Sequence, residues 1–336
     1  MVLVTGGTGL VGAHLLLHLI ESGSTDNKKI RAIYRDLKGI QKTKSLFNSY
    51  NKIALFDSIE WIKADIIDVP SLEEVFSGIE YVYHCAAIIS FDPKDEDLLR
   101  KTNIEGTANI VNLSLVNNVK KLCYVSSTAA LGDLAGNEFI ITEETEWNPE
   151  KPHSDYAISK YGAEMEIWRG QQEGLDVIIV NPGVIIGPGF LDQGSGQLFE
   201  KIKKGLSFYT MGITGFVAVS DVVKIMVQLM KSEIKNQRFT LISLNIIFRD
   251  FLNMISDALN VKRPKYHATP LFINLAWRID WLLATVFHKK RTITKATAKA
   301  SYSTNEYSNE KIKTTLKYNF KEIKEYIMEI APLFKE

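Results

Sequence analysis

Cysteine is scarce in this 336-residue chain, which contains only Cys85 and Cys123. Both lie in strand-like apolar runs, at 81–87 and 121–125, so two buried thiols are expected and a disulfide is disfavoured. Histidine is also sparse, and the six histidines and two cysteines form no convincing metal set. His14 and His18 stand four apart on a helical stretch, but no third ligand is near. Charge of one sign is missing as well: 40 Lys and Arg face 39 Asp and Glu, a net +1. That balance removes any whole-chain electrostatic case for nucleic acid or acidic membranes. Internal repeats, low-complexity segments and a clean linker are absent. Met1 opens a strand rather than a basic and then apolar leader, so a cytoplasmic location is expected.

A hydrophobic content of 46% and a charged content of 24% are ordinary for a globular chain. The length allows a full core, as one large or two intimately joined domains. Strand-like runs occur at 1–4, 30–34, 59–63, 81–84, 122–125 and 177–180, with helical spacing at 10–20, 72–76, 104–116 and 156–169. This alternation predicts an α/β fold: a doubly wound parallel (Rossmann) sheet over residues 1–180. After Asn181-Pro182-Gly183, glycine turns separate shorter elements and the last 70 or so residues look helical. Residues 181–336 are therefore expected to form a smaller, mostly helical substrate-binding region interleaved with the first.

The opening strand runs into Thr5-Gly6-Gly7-Thr8-Gly9-Leu10-Val11-Gly12. Gly6 allows a sharp turn, the middle glycines bring backbone N–H groups up to a pyrophosphate, and Gly12 permits tight helix-on-strand packing. Gly6, Thr8, Gly9, Leu10, Val11 and Gly12 are thus the expected cradle of a dinucleotide. The second strand ends Tyr34-Arg35-Asp36. A guanidinium there suits a 2′-phosphate and a carboxylate suits ribose hydroxyls, so Arg35 favours NADP(H) while Asp36 keeps NAD(H) open. Asp65, followed by Ile66, could accept from the adenine amino group or cap a turn. In His84-Cys85-Ala86-Ala87, the small Ala86 and Ala87 would let the backbone lie against the cofactor.

Tyr156-Ala-Ile-Ser-Lys160 puts a phenol and an ammonium on one helix face. A free tyrosine titrates near 10, and a cation one turn away is expected to lower that value. Tyr156 would then serve as the acid/base of a carbonyl reduction or alcohol oxidation, and Lys160 would also bond the cofactor ribose. Val125-Ser126-Ser127-Thr128, at a strand end, supplies a hydroxyl to hold the carbonyl oxygen.

On these motifs the chain resembles the extended short-chain dehydrogenase/reductase family of NAD(P)-dependent epimerases, dehydratases and reductases, over essentially its whole length. The likeness extends to Asn103-Ile-Glu-Gly-Thr107, to Glu143-Glu144-Thr145 with Pro149, to Asn181-Pro182-Gly183-Val184 and to 216–222. Counted back from Gly132, it implies Ser127 as the catalytic hydroxyl, alongside Tyr156, Lys160 and Asn103. It also implies that Pro182 and Val184 lie near the nicotinamide. The second strand is similar to the dihydroflavonol-4-reductase-like branch, which reduces ketones or aldehydes with NADPH. The apolar stretch 271–287, with Trp277 and Trp281, is similar to the 3β-hydroxysteroid dehydrogenase branch, where helices cover a hydrophobic substrate.

Departures narrow the chemistry. Ser127-Thr128-Ala129 lacks the Asp-Glu pair that the family's dehydratases place there, and Ala218 stands where many sugar-nucleotide members carry histidine. An arginine-rich diphosphate site is not evident, although Arg249 and Arg263 are open. The expectation is an NAD(P)H-dependent oxidoreductase interconverting a ketone or aldehyde and an alcohol on a mainly apolar small molecule. The alternatives are a nucleotide-sugar epimerase with retained NAD and, less in keeping with the Tyr–Lys pair, a non-catalytic cofactor sensor. The stretch 271–287 is expected to roof the substrate pocket. Lys289, Lys290 and Arg291 behind it make a membrane-surface helix the other reading, since Arg278 and Asp280 interrupt a run already short for a span. Homodimers are common in the family. His153, three residues before Tyr156, is read as a loop residue. Substrate choice rests on 129–138, 189–196 and the last third.

Overall fold

The computed structural model describes residues 1–25, 28–136, 138–287, 291 and 293–334. Largely apolar segments, buried on both faces in the middle of the sheet and partly exposed at the β3 edge, become β1 (Val2–Thr5), β2 (Ile30–Tyr34), β3 (Ile59–Lys63), β4 (Tyr81–His84), β5 (Lys121–Val125) and β6 (Val177–Pro182). A seventh strand, Gln237–Leu241, pairs with β6 and closes the edge. The order is Gln237–Leu241, β6, β5, β4, β1, β2, β3, with every pairing parallel. The covering helices include α1 (Leu10–Glu21), α2 (Leu37–Ser49), α3 (Gly106–Val116) and α4 (Asp155–Gln172). β1 lies between β2 and β4, so the sheet grows away from it in both directions. The crevice beyond the ends of β1 and β4 is where such sheets take ligands.

The edge strand comes from beyond residue 182, so one sheet draws on both halves of the chain. A smaller sheet of Val184–Ile186, Ile213–Ala218 and Leu244–Ile247 lies alongside. One apolar cluster joins Val4, Leu16 and Ile178 to Phe216, Ile255, Ile327 and Phe334. The buried Asp221 carboxylate accepts from the Tyr318 hydroxyl and the Lys321 N–H, both at 2.9 Å, pinning the C-terminal helices to the sheet.

The expected apolar helix is present as Pro270–Phe287, but Ile273 is its only buried residue. It rests through Ile273 and Trp277 on Ala268 and on Ala298 of the short helix Lys295–Ala300. A roof needs its apolar face turned inward, whereas most of this face meets solvent because so little structure lies beneath it. Lys289 and Lys290 lie outside the described residues, as does Asn137 in the 129–138 loop.

Candidate active site

The glycine loop is shaped by contacts that leave no room for side chains. Gly6 has φ +67°, and a Cβ there would lie 2.6 Å from the Ala86 backbone nitrogen. A Cβ on Gly12 would lie 2.2 Å from the Gly6 carbonyl oxygen. Gly9 differs: its Cβ would approach only that oxygen, at 3.5 Å, so its open side faces space. Gly9 also caps α1 without a side-chain hydrogen bond, leaving the first-turn N–H groups of Leu10 and Val11 and the positive helix end for an anion. Thr8 packs against Gly39, where an added Cβ would lie 2.9 Å from the Thr8 Cβ. The donor set and the missing cap fit a dinucleotide pyrophosphate.

At the end of β2, two adjacent charges have separate duties. The Asp36 carboxylate caps α2, accepting from the Gly39 N–H at 2.8 Å. Arg35 is exposed and makes no hydrogen bond or ion pair with a described residue. Asp65 folds into a turn, with Oδ1 accepting from the Ile67 N–H at 3.3 Å, so the capping role is realised and other lone pairs remain. Ile66 is buried against α3, where Gly106 makes room for it. The Ala86 N–H donates to the Thr5 hydroxyl at 3.2 Å, which holds the β4 exit against the β1 exit.

His84 is locked beneath the site, with Nδ1 2.7 Å from the Thr5 hydroxyl and Nε2 3.0 Å from the Thr107 hydroxyl. Burial lowers its pKa to about 3, with the nearby Lys160 acting in the same direction, so the ring is neutral. Asn103 lies in a π-helical turn, Arg100–Glu105, just before α3. Its Oδ1 accepts from the Ile88 N–H at 2.8 Å, and its Nδ2 donates to the Ile88 carbonyl at 3.0 Å and to the Ser159 hydroxyl at 2.9 Å. Its amide clamps the β4 exit loop to α4.

The Ser154 hydroxyl caps α4 by accepting from the Ala157 N–H, which places Tyr156 on the first turn and Lys160 one turn later. Ser127, just past β5, has its hydroxyl near enough to the Tyr156 phenol to influence it, and accepts from the Ala129 N–H at 3.1 Å. Ser126 is buried on the opposite side, toward Glu164. The expected lowering of the Tyr156 pKa is not what the packing produces. Burial pushes the phenol up, and the nearby Ser127 hydroxyl only opposes this. Lys160 is fully buried and turned elsewhere: its Nζ donates to the Tyr124 hydroxyl at 2.6 Å and to the Val125 carbonyl at 2.8 Å. Burial lowers its pKa from 10.5 to about 7, with Glu164 opposing.

Tyr124 escaped the sequence reading. It stacks on His84 with ring centroids 5.4 Å apart and holds the Lys160 ammonium. Its alternate position in β5, two residues before Ser126, was the only local sign. Phe91, 38% exposed, meets the Tyr156 ring edge-on at 5.5 Å and sets apolar surface against the phenol.

Pro182 ends β6 and Val184 begins the next strand. Between them Gly183 passes the neighbouring strand so closely that a Cβ would lie 2.3 Å from the Gly215 carbonyl oxygen. An open cleft of about 290 Å³ beside Ser127 is lined by Thr128, Ala129, Leu131, His153, Asn305 and Tyr307. A larger hollow, about 620 Å³, lies behind Gly132 against Glu143, Trp147 and Arg238, and none of Ser127, Tyr156 or Lys160 lines it. His153 stacks on Trp147 and bonds the Asn148 carbonyl, as a loop residue would. His14 is buried, with Nδ1 bonded to the Leu10 carbonyl. Cys123 is buried, Cys85 is partly so, and both are free thiols.

The family model described as the NAD dependent epimerase/dehydratase family matches residues 2–242. Anthocyanidin reductase of Arabidopsis thaliana is 30% identical over 296 residues, covering 80% of this chain and 82% of its own. A putative dihydroflavonol 4-reductase of Synechocystis sp. is 29% identical over 289 residues, covering 84% and 79%. The crystal structure of UDP-glucose 4-epimerase from Thermotoga maritima, solved with UDP-glucose, superposes with a TM-score of 0.77 at 19% identity, over 99% of this chain and 98% of its own. That last likeness concerns the fold.

Proposed function

The chain belongs to the NAD-dependent epimerase/dehydratase family, and from that premise we propose that this NAD(P)-dependent oxidoreductase reduces a ketone or aldehyde on a mainly apolar small molecule, with NADPH as the preferred donor. The observation that carries the reading is the Ser127–Tyr156 pair at the end of β5, with apolar Phe91 packed on the phenol. A bound nicotinamide supplies hydride to the carbonyl carbon. The Ser127 hydroxyl holds the carbonyl oxygen, and the Tyr156 hydroxyl gives it a proton. A phenol raised by burial stays protonated at neutral pH, the form a reduction requires. The family resemblance implies that Lys160, here bonded to Tyr124 and Val125, would also engage the cofactor ribose, and that Pro182 and Val184 would border the nicotinamide. Arg35, exposed and without a partner among the described residues, beside an Asp36 already used as a cap, supports NADPH over NADH. The neighbours named as reductases support this direction over sugar epimerisation.

The test is NADPH oxidation against aromatic aldehydes, aliphatic ketones, flavanonols and 3-ketosteroids, with Tyr156→Phe alongside. We expect turnover that drops about a thousandfold in Tyr156→Phe while NADPH binding is kept. Near-normal turnover in that variant would remove Tyr156 from the chemistry. No turnover with any substrate, together with NAD retained through purification, would replace the reductase with an epimerase.

A further inference from the structure

The helix Pro270–Phe287 presents an apolar stripe that is left exposed among the described residues. Leu271, Leu275, Ile279, Leu282 and Val286 recur at helical spacing along one face, with exposures between 49% and 84%. At 1.5 Å per residue the stripe is about 23 Å long. It continues sideways, where Phe272 stacks on the half-exposed Phe208 at 5.2 Å. A patch of this extent marks a contact with something other than water.

The charge of the segment that carries it points to the surface that would cover it. Residues 261–300 hold nine Lys and Arg and a single acid, Asp280, a net +8, with Arg263 paired to Asp257 just before them. The whole chain sums to +1, so the remainder carries a net −7 and the overall balance conceals a strongly polarised molecule. We propose that this face docks on an anionic lipid bilayer, with the helix lying in the plane of the interface.

Spanning does not fit: 18 residues reach about 27 Å against a hydrocarbon core of about 30 Å. Arg278 and Asp280 interrupt the helix midway, and Ile273 and Trp277 pack it onto the Lys295–Ala300 helix. A second copy on the same face does not fit either, because two-fold docking would set two +8 segments against each other. The helix pair is tied to the smaller sheet, with the Gly212 N–H donating to the Ser301 carbonyl and the Ile213 N–H to the Ser303 carbonyl. The strand that starts at Ile213 pairs with Val184–Ile186. Docking would therefore bring the bilayer against the same lobe that holds Val184.

The experiment is flotation of the full chain with phosphatidylglycerol/phosphatidylcholine vesicles and with phosphatidylcholine alone, at low and high salt. Binding to the anionic vesicles, weakened by salt, is expected. Leu275→Glu with Leu282→Glu should lower the partition coefficient at least tenfold. Replacing the exposed Lys262, Lys265, Lys295 and Lys299 with Gln should cost roughly fivefold for each cation, on anionic vesicles only. All six positions are exposed, and circular dichroism melting checks that the variants fold. Failure to float with anionic vesicles, or flotation indifferent to both sets of substitutions, overturns the proposal. So does a concentration-dependent dimer in sedimentation that Leu275→Glu with Leu282→Glu dissolves, since the occupant would then be a second copy.

Discussion

Lys160 shows how a side chain's role changes once its surroundings are known. Spacing placed it one turn from Tyr156, and that much is legible in any helix. Its partners, the Tyr124 hydroxyl and the Val125 carbonyl, come from a strand some 35 residues earlier and leave no local mark. Because its folded-state pKa is about 7 rather than 10.5, the unfolded chain binds a proton between those limits that the folded chain does not. Stability of the cofactor-free protein should therefore rise with pH from about 7 upward, by at most about 1.4 kcal/mol per unit from this group, and be flat in this respect below 7. Urea unfolding between about pH 7 and 9 should show that slope in the parent and a shallower one in Lys160→Met. Arg35 offers a second residue-scale outcome: with Asp36 engaged as a cap, Arg35→Ala should cut the NADPH-over-NADH preference at least tenfold in kcat/KM. An unchanged preference would remove Arg35 from cofactor choice.

At the scale of elements, the glycine loop was readable because its demands are local: a turn, a close approach and an uncapped helix. The structure separates those demands by position. The Gly12→Ala methyl would fall 2.2 Å from the Gly6 carbonyl oxygen, so a loss of about 1–3 kcal/mol is expected with weakened cofactor binding. Gly9 has φ −110° and ψ 172°, which alanine tolerates, and its Cβ finds only ordinary contact. Gly9→Ala should keep its melting temperature within a degree or two, as surface changes do, yet bind dinucleotide far more weakly. Thermal melts with cofactor titration distinguish the two. The strands β4 to β6 were legible because burial on both faces makes them largely continuous apolar runs, and β3, at the other edge, through Ile59, Trp61 and Ile62. The seventh strand, Gln237–Leu241, was not, because its edge position keeps Gln237 exposed and Arg238 only partly buried. The Arg238 guanidinium reaches the Glu143 carbonyl and Glu164, pairings visible only after folding.

For the whole molecule, a division at residue 180 does not correspond to a division of the core. Val4 and Ile178 share a cluster with Phe216, Ile255 and Phe334, and the sheet's edge strand belongs to the second half. Residues 1–180 expressed alone should lack a cooperative thermal transition and bind hydrophobic dyes, because the part of the sheet and of α1 that Val219–Lys231 covers would be left bare. A sharp melt from that fragment would show that it folds independently. The order of strands and helices, the glycine loop and the Tyr156/Lys160 spacing were set by the sequence itself, since each depends on neighbours within one turn or one strand. Three features were decided only in the tertiary structure: the upward push on the Tyr156 phenol, the capture of Lys160 by Tyr124, and the outward turn of the Pro270–Phe287 stripe. Each depends on what burial brings together or leaves bare, and burial is a property of distant segments meeting in space.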